Sequence, residues 1–512
     1  MTKLQSLPPG WGSARIGDIC QLINGRAFKP TDWVKSGLPI VRIQNLNNPS
    51  SSFNYFDGKV DARFLIDTGE LLFAWSGTPG TSFGAHVWDG GPAVLNQHIF
   101  RVIVNEGCLD KSYVRYALNQ RVESFIGQAH GGVGLGHITK GKFEGTDLVI
   151  PPLNEQRRIV TKLESLLARS SSAKEALDAI PTLLERFRQS VLAAAFRGDL
   201  TRDWREANPD VAPASKLLEQ IRSERRSRWE KVELERMQAK GKVPKDEKWK
   251  TEYKEPECND EADTFGSVSD LGWVVAPVEG LCDPNRGVPY GIVQTGDETV
   301  DGVPTVRCGD LKDFGVDLAF LKRVAPAIEQ QYARTRLAGG EVLLAIRGTV
   351  GGVAVASEKM RGMNISREVA MLPVLPGVDP RFVMYLLASP AATELLAGRT
   401  KGVAQQGVNL SDLRSLPVPL PSLGEQAQIV RRIDAAMARA RAIARVCAEA
   451  VSRTPSLEAA VLAKAFRGEL VPQDPADEPA SALLERIRAE RNQPADSEPT
   501  PRMKRHSETK VA

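Results

Sequence analysis

One stretch of this chain is written twice, and few folds can accommodate that. Glu155-Gln156 returns as Glu425-Gln426, and Phe196-Arg197-Gly198 returns as Phe466-Arg467-Gly468, in both cases 270 residues later. An equal offset at both ends means two copies of one length. Ile159 and Val160 recur as Ile429 and Val430, and Val191-Leu192-Ala193 recurs as Val461-Leu462-Ala463. Within the first copy Ile159, Leu163, Leu166, Ser170, Ala173, Leu177 and Ile180 step by four and three, and their counterparts run from Ile429 and Ile433 to Ala450. That is a heptad seam, the pattern of one helix packed lengthwise on another. A helix from Glu155 to Ile180 would run roughly 40 Å at about 1.5 Å per residue. Pro181 and Pro455 predict that each copy is a long helix followed by a shorter one, ended at Gly198 and Gly468.

The flanking sequence repeats too. Trp273 answers Trp11, Pro304-Thr305-Val306-Arg307 answers Pro39-Ile40-Val41-Arg42, and Gly340-Glu341-Val342-Leu343-Leu344 answers Gly69-Glu70-Leu71-Leu72-Phe73. Asp379 to Tyr385 answers Asp110 to Tyr116, with offsets drifting between 262 and 271 as small loop insertions require. Each copy is short strands and turns followed by a helical pattern such as Val114, Ala117, Leu118, Val122 and Phe125. The fold class is therefore α+β, with two tandem domains joined by long helices that pair as an antiparallel coiled coil, a pseudo-two-fold internal repeat. The expected order is a domain over 1–150, a helix region over 151–200 and a charged helix and linker over 201–265. A second domain over 266–420, its helix region over 421–470, and a helix with a disordered tail over 471–512 complete it.

Composition narrows the chemistry. The net charge is +4, and the stretch from Lys216 to Glu255 alone, with 13 Lys or Arg against 9 Asp or Glu, accounts for it. Any DNA-facing basic surface elsewhere must be local. The charged stretch predicts a solvated helix. The six cysteines form no Cys-x-x-Cys pair, so neither a zinc site nor a disulfide framework is indicated, and a reducing cytoplasm fits. There is no run of 18 apolar residues and no apolar leader after Met1, so the chain is expected to be soluble and unexported.

Catalytic patterns appear only in fragments. Gly136 to Lys142 has phosphate-loop spacing, but Phe143 stands where a Ser or Thr must hold magnesium, and the second copy drops the lysine. Asp246-x-Lys248 is a fragment of a nuclease pattern in a segment dense with charge. No Asn-Pro-Pro-Phe or Asp-Pro-Pro-Tyr tetrad is present, and the five histidines (His86, His98, His130, His137, His506) show no ligand spacing. No catalytic or metal residue is expected.

What recurs is a glycine-rich polar loop after a strand, Trp75-Ser76-Gly77-Thr78 in one copy and Ile346-Arg347-Gly348-Thr349 in the other. Further polar clusters are Gln44, Asn45 and Asn47, then Asn96-Gln97-His98, and in the second copy Arg307 and Ser366-Arg367. Amides suit adenine edges and arginine suits guanine, while short polar side chains and backbone N–H groups suit phosphates. Trp75, Ser76, Thr78, Arg347 and Thr349 join these as candidate DNA contacts; ordinary turns are the competing explanation at each.

The doubled Pro-x-x-x-Glu-Gln-x-x-Ile-Val start (Pro151, Glu155, Gln156, Ile159, Val160; Pro421, Glu425, Gln426, Ile429, Val430) and the Ala-Phe-Arg-Gly-(Asp/Glu)-Leu closings at 195–200 and 465–470 resemble one family. It is the DNA specificity subunit of type I restriction-modification systems. The resemblance implies two target-recognition domains reading a split asymmetric DNA site, no catalysis by this chain, and helices that dock two methyltransferase subunits, with Leu163 and Ile433 among their spacer residues. It further implies S-adenosylmethionine, ATP and Mg on partner subunits, restriction subunits joining afterwards, and no membrane. Pro152 departs from the Ser422 of the second copy, where Ser-x-x-Glu makes a capping box. A coiled-coil scaffold with duplicated ligand-binding domains is the alternative, separable by salt-dependent binding to duplex DNA.

Overall fold

The computed structural model describes residues 7–492 except 49, 78–82, 123–124, 126–135, 242–243, 245, 259–264, 266–267, 349–350 and 399–406. Thr78, Thr349, His130, the acidic linker at 260–263 and the tail expected to be disordered lie outside the described residues. The chain divides into two compact units, residues 1–177 with 450–512 and residues 178–449. Each unit thus takes the start of one long helix and the end of the other.

In the first unit, Leu71–Ala74 is the strand on which everything rests. Its four residues are all buried, and alternation sends Leu71 and Phe73 into one core while Leu72 and Ala74 enter another. A strand covered on both faces reads as an unbroken apolar run, which is what the sequence shows. It sits in an antiparallel sheet ordered Cys20–Asn24, Ile99–Val104, Leu71–Ala74, Gly84–Val87. A second sheet, ordered Asn54–Phe56, Leu38–Val41, Ala93–Leu95, Leu65–Ile66, covers the other side, with one parallel pairing between Leu38–Val41 and Ala93–Leu95. The domain's first strand, Gly12–Arg15, pairs with its last, Asp147–Ile150.

The second unit repeats this plan. Val342 and Leu344 serve one core, and Leu343 and Ala345 serve another. Val274–Pro277 pairs with Pro417–Leu420, and Val303–Val306 runs parallel to Asn364–Ile365. The 270-residue repeat is thus a repeat of topology.

Both long helices are longer than the prolines predicted. Leu153–Phe196 and Leu423–Phe466 each run 44 residues, with Pro181 and Pro455 inside them. Both prolines are exposed. Water can therefore solvate the carbonyl that loses its donor, and packing on either side holds the helix through the kink-prone turn. In the first unit Ile159, Val160 and Leu163 share a core with Ala465, flanked by Val461, Leu462 and Phe466, and Ser170 Oγ donates to Glu458 2.9 Å away. In the second, Leu192, Ala195 and Phe196 share a core with Ile429, Val430, Ile433 and Met437. Start meets end in both units, so the helices pair antiparallel. The predicted seam is interrupted near the middle of each helix, where Ala173 and Ile443 are exposed.

The charged segment also departs from expectation. Ala214–Ala239 is a helix, but Leu218, Ile221 and Arg225 on its first half are buried against the second unit. Its shorter twin, Ala480–Asn492, seals the first unit with Leu483, Leu484 and Ile487, and the Ala480 N–H donates to the Gly10 carbonyl. The second half is not freely solvated either, since Trp229 packs against Trp249 and Tyr253. Among the described residues no helix is long and apolar enough to cross a membrane.

Candidate nucleic-acid interface

The repeated loops begin where the central ladder ends. In the first unit Ala74 pairs with Ile99, and the next rung is the Trp75 N–H donating to the His98 carbonyl at 3.2 Å. Beyond it Ser76–Gly77 pairs with Gly136–His137. In the second unit Ala345 pairs with Val369, and the N–H groups of Ile346 and Arg347 both donate to the Glu368 carbonyl at 2.8 and 3.3 Å. Counting along the two registers, Trp75 and His98 occupy the places of Ile346 and Glu368. Ser76 and Gln97 occupy those of Arg347 and Arg367, and Asn96 that of Ser366.

A second strand closes under each loop. Asn96 N donates to the Val41 carbonyl and Ser366 N to the Val306 carbonyl, at 3.1 and 2.8 Å. Gly25 and Gly291 make this approach possible. A Cβ at Gly25 would lie 2.1 Å from the Asn96 carbonyl oxygen, and one at Gly291 would lie 1.8 Å from that of Ile365. These glycines were missed in the sequence, although they sit at matching places in the repeat. The next turn is also duplicated. The backbone N–H of Arg42 donates to Asn45 Oδ1 (3.1 Å), and that of Arg307 donates to Asp310 Oδ2 (2.8 Å). Arg42, whose guanidinium lies 5.6 Å from the Trp33 ring centre, is thus the twin of Arg307 and a second residue that sequence reasoning passed over.

Within this frame the candidates separate. In the first unit Trp75 stacks on Phe100 with 5.7 Å between ring centres, and its indole N–H donates to Asn24 Oδ1. His98 lies 5.3 Å from the Trp75 ring, and Gln97 Nε2 is 3.2 Å from His98 Nε2. Asn96 Oδ1 accepts from the His98 N–H. These four form one half-buried polar and aromatic cluster. Gln44 and Asn47 are exposed on the short helix Ile43–Asn47. Asn45 is different. It is buried, its Oδ1 takes the Arg42 N–H, and its Nδ2 donates to the carbonyls of Ser51 and Ser52. Its amide is committed to the turn, so Asn45 shapes the loop and presents no free edge. Ser76 is likewise buried.

In the second unit Arg347 and Arg367 are both exposed, on the rung that follows Ile346 and Glu368. Ser366 is buried, and its Oγ accepts from the Glu368 N–H. Arg307 is half-buried against Asp310, whose carboxylate accepts from both Nε and Nη2 and holds the guanidinium firmly charged, above the usual arginine range. Cys308 donates from Sγ to Glu368 Oε2 at 3.2 Å, which brings Glu368 into the cluster as a further polar group.

The spacer candidates pack within the chain itself. Glu155 Oε2 accepts the Trp11 indole N–H at 3.0 Å, and Glu425 Oε2 accepts that of Trp273 at 2.9 Å. Gln156 Oε1 accepts the Asp110 N–H and its Nε2 donates to the Pro151 carbonyl. Gln426 does the same with Asp379 and Pro421. Ile159, Val160, Leu163, Ile429, Val430 and Ile433 are all buried. The Glu-Gln motif is the joint that fastens each domain to its helix. The two joints differ. Glu425 Oε1 also accepts from Thr201 Oγ1 and Arg205 Nη1, at 2.7 and 2.5 Å. Glu155 Oε1 is buried without a partner among the described residues, and burial raises the carboxyl's pKa. Asp246, the residue of the nuclease fragment, accepts the Lys248 N–H in a local turn, which accounts for its spacing.

Against known proteins, residues 8–181 and 294–444 match the family model for the type I restriction modification DNA specificity domain. The chain belongs to this family. It is 32% identical over 499 residues to the type I restriction enzyme EcoBI specificity subunit of Escherichia coli, covering 95% of this chain and 94% of the relative. It is 26% identical over 514 residues to the EcoKI specificity subunit of Escherichia coli strain K12, covering 95% and 96%. In fold it is similar to the HsdS subunit from Thermoanaerobacter tengcongensis, with a TM-score of 0.53 and 19% identity over 92% of this chain and all of that one. A chain solved in work on complex assembly and conformational transition of the type I R-M system gives 0.55, at 19% identity and 91% coverage of this chain. This type I specificity subunit is the non-catalytic, DNA-recognising part of a restriction-modification system.

Proposed function

We propose that this specificity subunit reads a split, asymmetric DNA target, one half with each unit, and docks methyltransferase subunits on its long helices. The observation that carries the proposal is the difference in chemistry at equivalent rungs. The first unit offers Ser76 with Gln97 beside Asn96, His98 and Trp75, and the second offers Arg347 with Arg367. Gln97 and Asn96 suit an adenine edge, and the arginines suit guanine in a major groove. Gln44, Asn47 and Arg307 flank the clusters and serve backbone positioning, with Thr78 and Thr349 next to them in sequence.

Docking is supported by apolar surface that the chain itself leaves uncovered. Leu183 and Phe187, one turn apart, are 52% and 44% exposed, and Ile443 and Val446 on the other helix are 48% and 60% exposed. Exposed apolar residues at i, i+3 or i+4 on a long helix are what a partner helix buries. S-adenosylmethionine, ATP and Mg belong to the methyltransferase and restriction subunits of the assembly, which works in the cytoplasm.

The test is a titration of fluorescent duplex DNA with the chain and its methyltransferase co-purified. The complex should bind a target duplex tightly, with affinity falling steeply as salt rises, and Leu183→Glu with Phe187→Glu should break the co-purification. Salt-independent binding, or no preference among duplexes, would favour a scaffold instead.

A further inference from the structure

The first unit carries a groove whose counterpart in the second unit is plugged by the chain itself. It has a volume of about 560 Å3 and lies between strand Gly84–Val87, helix Lys111–Gln120 and the segment Phe53 to Tyr55. His86, Trp88, Arg115, Tyr116, Tyr55 and Phe53 are among its walls.

The equivalent walls of the second unit are strand Val353–Val355 and helix Pro380–Leu387, with Ala354, Met384 and Tyr385 at the places of His86, Arg115 and Tyr116. There the hairpin Leu311–Lys312 and Gly315–Val316 folds over the strand, and the Phe314 ring meets Tyr385 edge-on at 5.0 Å. The turn residues Asp313 and Phe314 both adopt positive φ, 48° and 63°. Such a two-residue turn favours Asn-Gly, and a bulky side chain there is strained. The strain persists because the ring is seated against Tyr385 and because Asp313 Oδ1 accepts from Arg188 at 3.2 Å. The first copy lacks this plug. Arg42 to Asn54 spans three residues fewer than Arg307 to Lys322, and no hairpin forms among the described residues of that interval.

The two grooves also differ in polarity. Where the second unit has Ala354 and Met384, the first has an imidazole and a guanidinium. Burial and the charge of Arg115 lower the His86 pKa, so its ring is neutral and offers one donor and one acceptor. Arg115 lies over the Tyr116 ring at 4.3 Å, and its Nε finds no acceptor among the described residues. Asn119 spends one acceptor site and one donor of its amide on the backbone N–H and carbonyl of Ala85. Asp89 adds an exposed carboxylate at the rim.

We infer that this groove is a ligand site for a nucleobase, presented as a free nucleoside or nucleotide. Its volume falls within the roughly 300–1,000 Å3 of small-molecule pockets. Its aromatic walls suit a planar ring, as Phe314 shows in the twin, while the mixed donors and acceptors of His86, Arg115 and Asp89 suit the hydrogen-bonding edge of a base. A phenyl ring would offer nothing to His86 or to Arg115, whose guanidinium pairs with Glu164 at 3.6 Å while its Nε has no acceptor among the described residues. The inference goes beyond target reading, although Asn45 of the reading turn also lines the groove.

The experiment is ligand-observed NMR on the full chain with adenosine, guanosine, cytidine and thymidine, with N-acetylphenylalanine amide as the phenyl control. At least one nucleoside should bind with a Kd below about 1 mM (a weak but ordinary small-ligand affinity). His86→Ala with Arg115→Met, which installs the residues of the second unit, should weaken it at least tenfold. Val87→Trp, on the exposed wall of the groove, should block it without touching the core. Absence of nucleoside binding by the folded chain overturns the inference. So does binding that both variants leave intact, or a phenyl control that binds as well as the nucleosides.

Discussion

Glu155 and Glu425 hold the same place in the repeat, yet their loss should have very different consequences. Glu425 accepts from Trp273, Thr201 and Arg205, and Arg205 is itself largely buried beside it. Glu425→Gln leaves that guanidinium without a counter-charge and turns an amide NH2 toward donors. Removing one partner of a buried ion pair costs about 3–5 kcal/mol. Among the described residues Glu155 accepts from Trp11 on one oxygen, and its other oxygen has no partner. Glu155→Gln keeps an acceptor for the indole and removes a carboxylate that burial disfavours, so the cost should stay below about 1 kcal/mol and could be negative. The difference, at least about 2 kcal/mol, corresponds to roughly 30-fold in an opening equilibrium. Hydrogen exchange on the intact chain resolves the two sites. Amides of Val274, Val275 and Ala276 should exchange at least 30-fold faster in Glu425→Gln, while those of Gly12–Arg15 should change less than about fivefold in Glu155→Gln. The pH dependence has a definite sign. Because the folded pKa of Glu155 is raised, its contribution is fully present below the unfolded value and is lost as pH rises through the folded one. Any advantage of the Gln variant should therefore grow from pH 4 toward pH 7. Equal acceleration in the two variants would refute the distinction between the joints.

Three other outcomes follow from the same geometry. Gly25→Ala and Gly291→Ala place a Cβ within 2.1 Å of a backbone carbonyl oxygen, so each should displace its reading loop and abolish recognition of one half-site while the other half is still bound, as footprinting would show. Pro181→Ala restores an exposed helical hydrogen bond and should stabilise the first long helix by about 1–3 kcal/mol, measured by thermal unfolding. Deleting one heptad from each long helix, residues 171–177 and 441–447, removes about 10 Å at about 1.5 Å per residue. In a folded, methylating complex the preferred gap between half-sites should then shorten by about three base pairs at 3.4 Å each.

Much of this was legible in the chain because a repeat constrains both fold and site. Once Glu155-Gln156 and Phe196-Arg197-Gly198 recur at one offset, tandem domains and antiparallel helices follow, and the polar loops stand out as the places where the copies disagree. What escaped reading depended on long-range contacts. Pro181 and Pro455 read locally as helix ends, but packing on both sides carries the helix through them. The Glu-Gln pair read as the polar start of a spacer helix, with nothing local to say that it is buried. Only the approach of Trp11, Trp273, Asp110 and Asp379 from more than 40 residues away shows them buried. Asn45 looked like a reading amide for the same reason, until the carbonyls of Ser51 and Ser52 took its donors. Gly25 and Gly291 carried a signal in their shared place in the repeat, and Arg42 in its match to Arg307. Phe314 carried none, since nothing local announces an aromatic residue at positive φ.

The measurement closest to the central claim is a genome-wide map of methylation made by the chain with its methyltransferase, for the wild type and for Arg347→Ala with Arg367→Ala. The account predicts a bipartite, asymmetric motif in the wild type, with adenine-containing and guanine-containing halves. The double variant should relax one half, with each lost bidentate contact worth about 1–3 kcal/mol of discrimination, and leave the other half unchanged. A palindromic or unbroken motif, or a motif whose halves are both indifferent to the two arginines, would contradict it.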